Sequence, residues 1–519
     1  MSASSSPPPS QAADQAQLRA SALYLNVFVV AICGLVYELL AGTLGSYLLG
    51  DSITQFSLVI GLYLSAMGVG AWLSRRLETD LARRFVEIEL AVAVVGGLSA
   101  PVLFVAFGSL AHFQLVLLAF VFAIGVLVGL ELPLLMRLLE GQLELKDLVS
   151  RVLTFDYIGA LAAALMFPLL LVPHLGLVRS SLVMGAANAA VALWGTWLLR
   201  SRIGKRGVVG VRIRAMLVLV AMIIGIGMAD VFSTWAEDEM YADPVVYSAT
   251  TPYQRIIVTQ GRAGFQLFLN GNLQFSSADE YRYHESLVHP AMVAADAPPK
   301  KVLVLGGGDG LALREILAHP SVEQVTLVDL DPAMTGLSRS FPALAELNRH
   351  SFSDHRVTVI NDDAAVWLDE HPGQWDVIIV DFPDPNTFQL GKLYTKLFYR
   401  RVLAHLAPGG AVSVQATSPL FARRSYWCVV ATLRAAGFAV RPYQVTVPSF
   451  GVWGYALGKR APFERPQHVP NVALRYLNDA ALAAMFEMPA DMTEVPVEIN
   501  QLDNQALVRY YEREWRRWE

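Results

Sequence analysis

The chain is 519 residues long, with 54% hydrophobic and only 16% charged residues and a mean hydropathy of +0.43, which excludes an ordinary soluble enzyme as the whole molecule. At roughly 100–200 residues per domain, more than one domain is expected. A net charge of −5 gives no basic footprint for nucleic acid, and the two distant cysteines, Cys33 and Cys428, give neither a disulfide framework nor a thiolate metal site.

Residues 1–20 are mostly Ser, Pro, Ala and Gln, too polar to build a core, and are expected to form a disordered tail. Residues 21–230 read as a transmembrane domain of about seven helices, near 22–41, 55–74, 86–107, 113–136, 154–173, 178–199 and 211–229. Each run approaches the ~20 apolar residues that cross a bilayer core. Basic loops at Arg75–Arg76, Arg83–Arg84, Arg137–Arg151 and Arg200–Arg214 place the N-terminus in the cytoplasm. Seven full crossings would put the rest of the chain outside. The nucleoside chemistry read below instead places it in the cytoplasm, so one segment must be interfacial or re-entrant, and 211–229, the shortest, is the candidate. Glu38, Glu131 and Asp156 lie within or at the edges of these runs. Intramembrane acids are costly, so these three point either to a cation path or helix pairing, or to capping and pairing near the interfaces.

The pattern then changes. Residues 245–297 read as a small domain of antiparallel strands, with an Asn270–Gly271 turn and a helix beginning near Glu280. Over 298–460 strands and helices alternate, predicting a doubly wound, Rossmann-like α/β domain of methyltransferase type, closed by a hairpin at PSFGVWGYALG. Residues 461–519 read as a polar extension ending in a surface helix.

The chemistry centres on VLVLGGGDGLALREIL, Val302 to Leu317: a buried strand, a turn through Gly306, Gly307, Gly308 and Gly310, and a helix start. Such a corner lets a nucleotide approach bare backbone and a helix N-terminus. Asp309 would repel a pyrophosphate, which argues against NAD or FAD and favours a cationic ligand. Asp329, about 20 residues after the turn, is placed to accept ribose hydroxyls. Asp362 and Asp363 end the third strand, where an adenine amino group is within reach. Asp381 and Asp384, in VIIVDFPDP, stand at the carboxyl end of the fourth strand. Two such carboxylates can seat an ammonium group and take its proton, which an alkylamine must lose before it attacks. S-adenosylmethionine carries a carboxylate that Asp309 would repel, whereas its decarboxylated form has only an amine there. Aminopropyl transfer is therefore favoured over the rival reading, methyl transfer.

Residues 252–457 resemble the spermidine synthase (polyamine aminopropyltransferase) family through YQRIIV, LFLNGNLQFSSADEYRYHE, VLVLGGGDGLALREIL, VDLD, DDA, DFPDP and PSFGVWGY, and the apolar half resembles that family's membrane-fused members. The resemblance implies decarboxylated S-adenosylmethionine as co-substrate, no other cofactor and no metal, putrescine or a related diamine as acceptor, and a homo-oligomer. Gln254 and Asp329 would hold the nucleoside, with Asp362 and Asp363 at the adenine. Asp309 would take the aminopropyl amine and Asp381 would be the general base. His284 and Asp384 would bind the diamine, with Tyr283 and Gln274 lining its pocket. The chain departs from the family pattern at Leu311, in place of a glycine; at DFPDPNTF, where Phe388 replaces a proline; at Asp329, where most members have Glu; and at Phe450, where many present a tyrosine. These departures bear on the acceptor more than on the reaction. A transporter or sensor whose soluble half only binds polyamines is the rival from another class.

Overall fold

The structure is a computed structural model that describes residues 9–49, 52–109, 113–140 and 144–518. The chain divides into two compact units, Met1–Ala242 and Asp243–Glu519.

The first unit is helical: α1 (Pro9–Leu49), α2 (Ser52–Ser74), α3 (Leu81–Ser109), α4 (Phe113–Leu139), α5 (Leu145–Met166), α6 (Val172–Leu198), a single turn α7 (Arg200–Ile203) and α8 (Lys205–Met240). Part of the expected tail lies outside the described residues, and from Pro9 onward it belongs to α1, because QAADQAQL is rich in strong helix formers. Among the described residues, six helical segments are long and apolar enough to cross a membrane. The expected runs 154–173 and 178–199 fall in one of them, Lys146–Leu198, whose 53 residues would extend about 80 Å if straight. A π-helical turn at Phe167–Leu171 and a break at Gly176, with φ at 70°, interrupt it without a loop. The expected re-entrant segment 211–229 does not look like one. It lies inside the 36-residue α8, with a 23-residue apolar window at Gly207–Ala229, as long as the first span and longer than the second. Glycines let α2 and α4 touch backbone to backbone: a Cβ on Gly70 would come within 2.1 Å of the Val126 carbonyl, and one on Gly129 within 2.2 Å of the Met67 carbonyl.

The second unit opens with a four-stranded antiparallel sheet in the order β1 (Val245–Thr250), β2 (Arg255–Gln260), β3 (Phe265–Leu269), β4 (Asn272–Ser276). The helix α9 (Glu280–Ala294) follows, then β5 (Lys301–Gly306), α10 (Leu311–Leu317), β6 (Gln324–Asp329), β7 (Val357–Asn361), β8 (Trp375–Asp381), β9 (Leu406–Gln415), β10 (Ala439–Val447) and β11 (Gly451–Lys459). The large sheet runs β10-β11-β9-β8-β5-β6-β7. Strands β9, β8, β5, β6 and β7 are parallel, and the β10–β11 hairpin adds an antiparallel edge. Between β5 and β8 the winding reverses, which opens a crevice at their carboxyl ends.

Two boundaries differ from expectation. α9 is not part of the small β domain: Leu287, Val288 and Ala291 are buried with Val302 and Val304 of β5 in the core of the large sheet. The C-terminal extension is also more than a surface helix. The helix Ala506–Trp515 buries Leu507 and Tyr510 against the opposite face of the sheet, while Leu477 and Met485 join the core under α9. Its sequence reads as polar because the charged residues occupy only the outer face.

Candidate active site

The crevice is built by three short pieces of chain: the glycine turn after β5, the segment after β8 and the first turns of α9. Gly306 and Gly307 have φ of 83° and 67°, and the Gly307 N–H donates to the Asp381 carbonyl at 3.1 Å. A Cβ on Gly306 would come within 2.2 Å of that oxygen, so a larger residue would push the two strand ends apart. Asp309, at the tip of the turn, accepts from the Leu311 N–H at 2.9 Å through Oδ1, which leaves Oδ2 facing His284 Nε2 at 4.0 Å. Asp381 Oδ1 accepts from the Tyr283 hydroxyl at 2.7 Å. Tyr283 and His284 are adjacent on α9, so one helix reaches both carboxylates.

Beneath them is a group that sequence reasoning missed. Glu280, fully buried, takes both ends of the Arg314 guanidinium at 2.9 Å and holds His284 Nδ1 at 2.9 Å. Arg314 also bonds Glu315 at 2.8 Å and the Leu347 carbonyl. Nothing in the local pattern marks Glu280 or Arg314, which are separated by 34 positions and meet only when α9 packs on α10. This bidentate pair fixes the first turn of α9 and thereby the direction of both site side chains.

The electrostatics follow from burial among like charges. Burial, then the nearby Asp309 carboxylate, pushes Asp381 up to about 6, against the opposing His284 and Tyr283. Asp309 is likewise raised, chiefly by burial. Burial would lower His284, but the Glu280 hydrogen bond and the charges of Asp309, Glu280 and Asp381 outweigh it and raise the imidazole to about 9. At neutral pH the imidazole is therefore cationic, and it faces two carboxyl groups that burial raises above the usual carboxylate range. Such opposed shifts in one crevice are what acid–base chemistry requires.

Asp384 accepts from Gln415 Nε2 at 3.1 Å and from the Thr417 hydroxyl at 3.0 Å, and the Tyr511 hydroxyl of the C-terminal helix bonds it as well. Burial still lifts Asp384 to about 6. Gln415 and Thr417 were not anticipated, although they end β9 beside β8, where the rule that singled out Asp381 also applies. Phe450 stands 6.2 Å from the Tyr283 ring, and its neighbour Trp453 donates to Gln415 at 3.3 Å.

On the other side of the turn, Asp329 Oδ2 accepts from the Gly308 N–H at 3.1 Å and Oδ1 from the Asp331 N–H at 2.9 Å. A Cβ on Gly308 would meet Asp329 Oδ2 at 2.6 Å. Gln254 donates its amide to Asp331, the next acid along the chain from Asp329, at 2.9 Å. Asp362 accepts from the Asp363 N–H at 2.7 Å. Asp363 caps the helix Ala364–Glu370 through Ala365 and pairs with Lys392 at 2.5 Å. Gln274, on β4, spends its amide on the Asn272 carbonyl at 3.1 Å, and among the described residues no hydrogen bond joins it to the Tyr283–Asp381 group.

A parallel sheet with a glycine turn and a strand-end acid on one side of its switch point, and two buried carboxylates reached by one helix on the other, has the arrangement of a nucleoside-binding transferase. The chain is similar to known proteins. The Spermine/spermidine synthase domain family matches residues 280–465. The chain is 52% identical to a Polyamine aminopropyltransferase of Leptospira interrogans over 497 residues, 96% of this chain and 99% of that one. It is 43% identical to Polyamine aminopropyltransferase 1 of Streptomyces coelicolor over 506 residues, 95% and 94% of the two chains. A solved spermidine synthase from Thermotoga maritima is similar over 47% of this chain and 84% of its own, with 28% identity and a TM-score of 0.44. The chain belongs to the polyamine aminopropyltransferase family, and the match to full-length relatives includes the helical unit.

Proposed function

We propose that the protein transfers the aminopropyl group of decarboxylated S-adenosylmethionine to putrescine, giving spermidine and methylthioadenosine. The observation that carries this reading is the placement of Asp309, in the turn after β5, beside Asp381, at the end of the adjacent strand β8, with His284 and Tyr283 of one helix reaching one each. Asp309 takes the ammonium of the aminopropyl chain. Asp384 seats the far ammonium of the diamine, and Asp381 removes a proton from the near one. The freed amine attacks the methylene beside the sulfonium, a C–N bond forms, and the C–S bond breaks with its electron pair passing to sulfur. The leaving group is already activated, so the protein's contribution is alignment and proton removal. His284 is held by Glu280 beside Asp309, and Tyr283 orients Asp381. Asp329, Asp331 and Gln254 hold the ribose side, and Asp362 and Asp363 face the base. Incubating purified protein with putrescine and decarboxylated S-adenosylmethionine should yield spermidine and methylthioadenosine in equal amounts. A methylated product from S-adenosylmethionine, with no spermidine, would overturn the assignment.

The helical unit is read as a multi-pass cell-membrane domain with the catalytic unit in the cytoplasm. The length and apolarity of six helical segments support the first part. The second rests on the cytoplasmic origin of adenosyl co-substrates, because the arms on either side of Gly176 are each long enough to cross and counting both would reverse the side. A compartment-specific reporter fused after Glu519 decides it, an extracytoplasmic signal refuting the cytoplasmic assignment. A homo-oligomer, as the family resemblance implies, is checked by the mass of the purified protein in lipid nanodiscs, a single-chain mass refuting it.

A further inference from the structure

The helical unit contains a cavity of about 160 Å³ lined by residues from α1 to α5. Its walls are mostly hydrocarbon, yet three acids line it: Glu38 of α1, Glu131 of α4 and Asp156 of α5. No lysine, arginine or histidine is among the described residues that line it. Glu131 is only 3% exposed, and neither of its carboxylate oxygens has a hydrogen-bond partner among the described residues. A carboxyl group buried without a partner either keeps its proton or is paired by a cation or donor that enters the cavity.

The chemistry of that partner follows from the spacing of the acids and the nature of the walls. Among the described residues no three His, Cys, Asp or Glu side chains gather closely enough to hold one metal ion. The three acids therefore share a cavity whose other walls are mostly hydrocarbon, without forming a metal-type cluster. A hard inorganic cation needs a closed shell of oxygens, which these walls do not supply. A molecule with ammonium groups separated by methylenes matches both features. Size agrees as well: a cavity of about 150 Å³ accommodates benzene, with six non-hydrogen atoms, and a four-carbon diamine has the same number.

We infer that this cavity binds a small aliphatic diamine in its diammonium form, with Glu131 as the buried anchor and Glu38 or Asp156 at the other end. This site is separate from the acceptor pocket of the α/β unit, so the chain holds two diamines.

The test is equilibrium dialysis of radiolabelled putrescine against the full-length protein in lipid nanodiscs, with aminopropyl transfer assayed on the same samples. Two diamines per chain are expected. Glu131→Gln should leave one, with turnover within about twofold of the unaltered protein, whereas Glu131→Asp, which keeps the charge, should restore the second. One diamine per chain, unchanged by Glu131→Gln, would show that the cavity holds only a protonated Glu131 and would overturn the inference. If Glu131→Gln fails to assemble, competition on the unaltered protein decides: 1,5-diaminopentane should displace the second label and sodium at equal ionic strength should not. Equal displacement by sodium would assign the cavity to an inorganic cation. Turnover without a second diamine defeats this inference alone, and a second diamine without turnover defeats only the proposed reaction.

Discussion

The Tyr283 hydroxyl donates to Asp381 at 2.7 Å, so the residue proposed as the base is aimed by a residue almost a hundred positions earlier in the chain. Both groups are held by rigid elements, Tyr283 by α9 and Asp381 by the end of β8, and Glu280 and Arg314 hold the α9 end in place.

Asp381→Asn should lower the rate by about 10²–10⁴ while leaving nucleoside binding nearly intact, the range usual for a positioned base. Because the carboxylate form is the active one and its pKa lies near 6, activity of the unaltered protein should fall as pH drops through that value. A pH–rate profile of kcat/KM checks the limb. A flat profile between pH 5 and 7, or near-normal turnover by Asp381→Asn, would remove Asp381 from the chemistry.

Tyr283→Phe tests the aiming. The phenol's hydrogen bond favours the ionised carboxylate, so its loss raises the Asp381 pKa and moves the acid limb to higher pH. Turnover near pH 7 should drop by about tenfold, in keeping with the loss of one hydrogen bond to a charge. If the acid limb stays where it was, Tyr283 only fills space.

Asp309→Asn should weaken binding of decarboxylated S-adenosylmethionine by about 10- to 100-fold, the size of one lost charge-assisted contact. It should leave S-adenosylmethionine binding unchanged or improved, because the repulsion between carboxylates is gone. Titration calorimetry with both nucleosides gives the ratio. An unaltered ratio means that discrimination lies elsewhere.

His284 links stability to pH. Its folded pKa of about 9 exceeds the ordinary value of about 6.5, so the stabilisation is complete below pH 6.5 and is lost as pH rises through 9. The amount is roughly 3 kcal/mol at most. Thermal melts of the full-length protein should lose more Tm between pH 6.5 and 9 than melts of His284→Gln. Parallel curves for the two proteins would mean that the imidazole is neutral in the folded state.

The sequence alone determined what short-range patterning encodes. Long apolar runs mark a helical unit, because a bilayer-spanning helix must satisfy its own backbone and present hydrocarbon to its surroundings. The order of strand, glycine turn and helix at Val302–Leu317 marks the crevice, because only glycine tolerates the φ of Gly306 and Gly307 and the approach of Asp381. Acids at strand ends were visible for the same reason: a parallel sheet brings the carboxyl ends of its strands to one side. What patterning could not show is which distant side chains meet. The Glu280–Arg314 pair, the Gln415–Thr417 cradle under Asp384 and the tie from Gln254 to Asp331 depend on how α9, β9 and the small sheet pack. The same holds in the helical unit. Sequence marks Glu38, Glu131 and Asp156 as acids among apolar residues, but only the packing of five helices puts them around one cavity and leaves Glu131 without a partner, because a side chain's neighbours are set by tertiary contacts and not by its place in the chain.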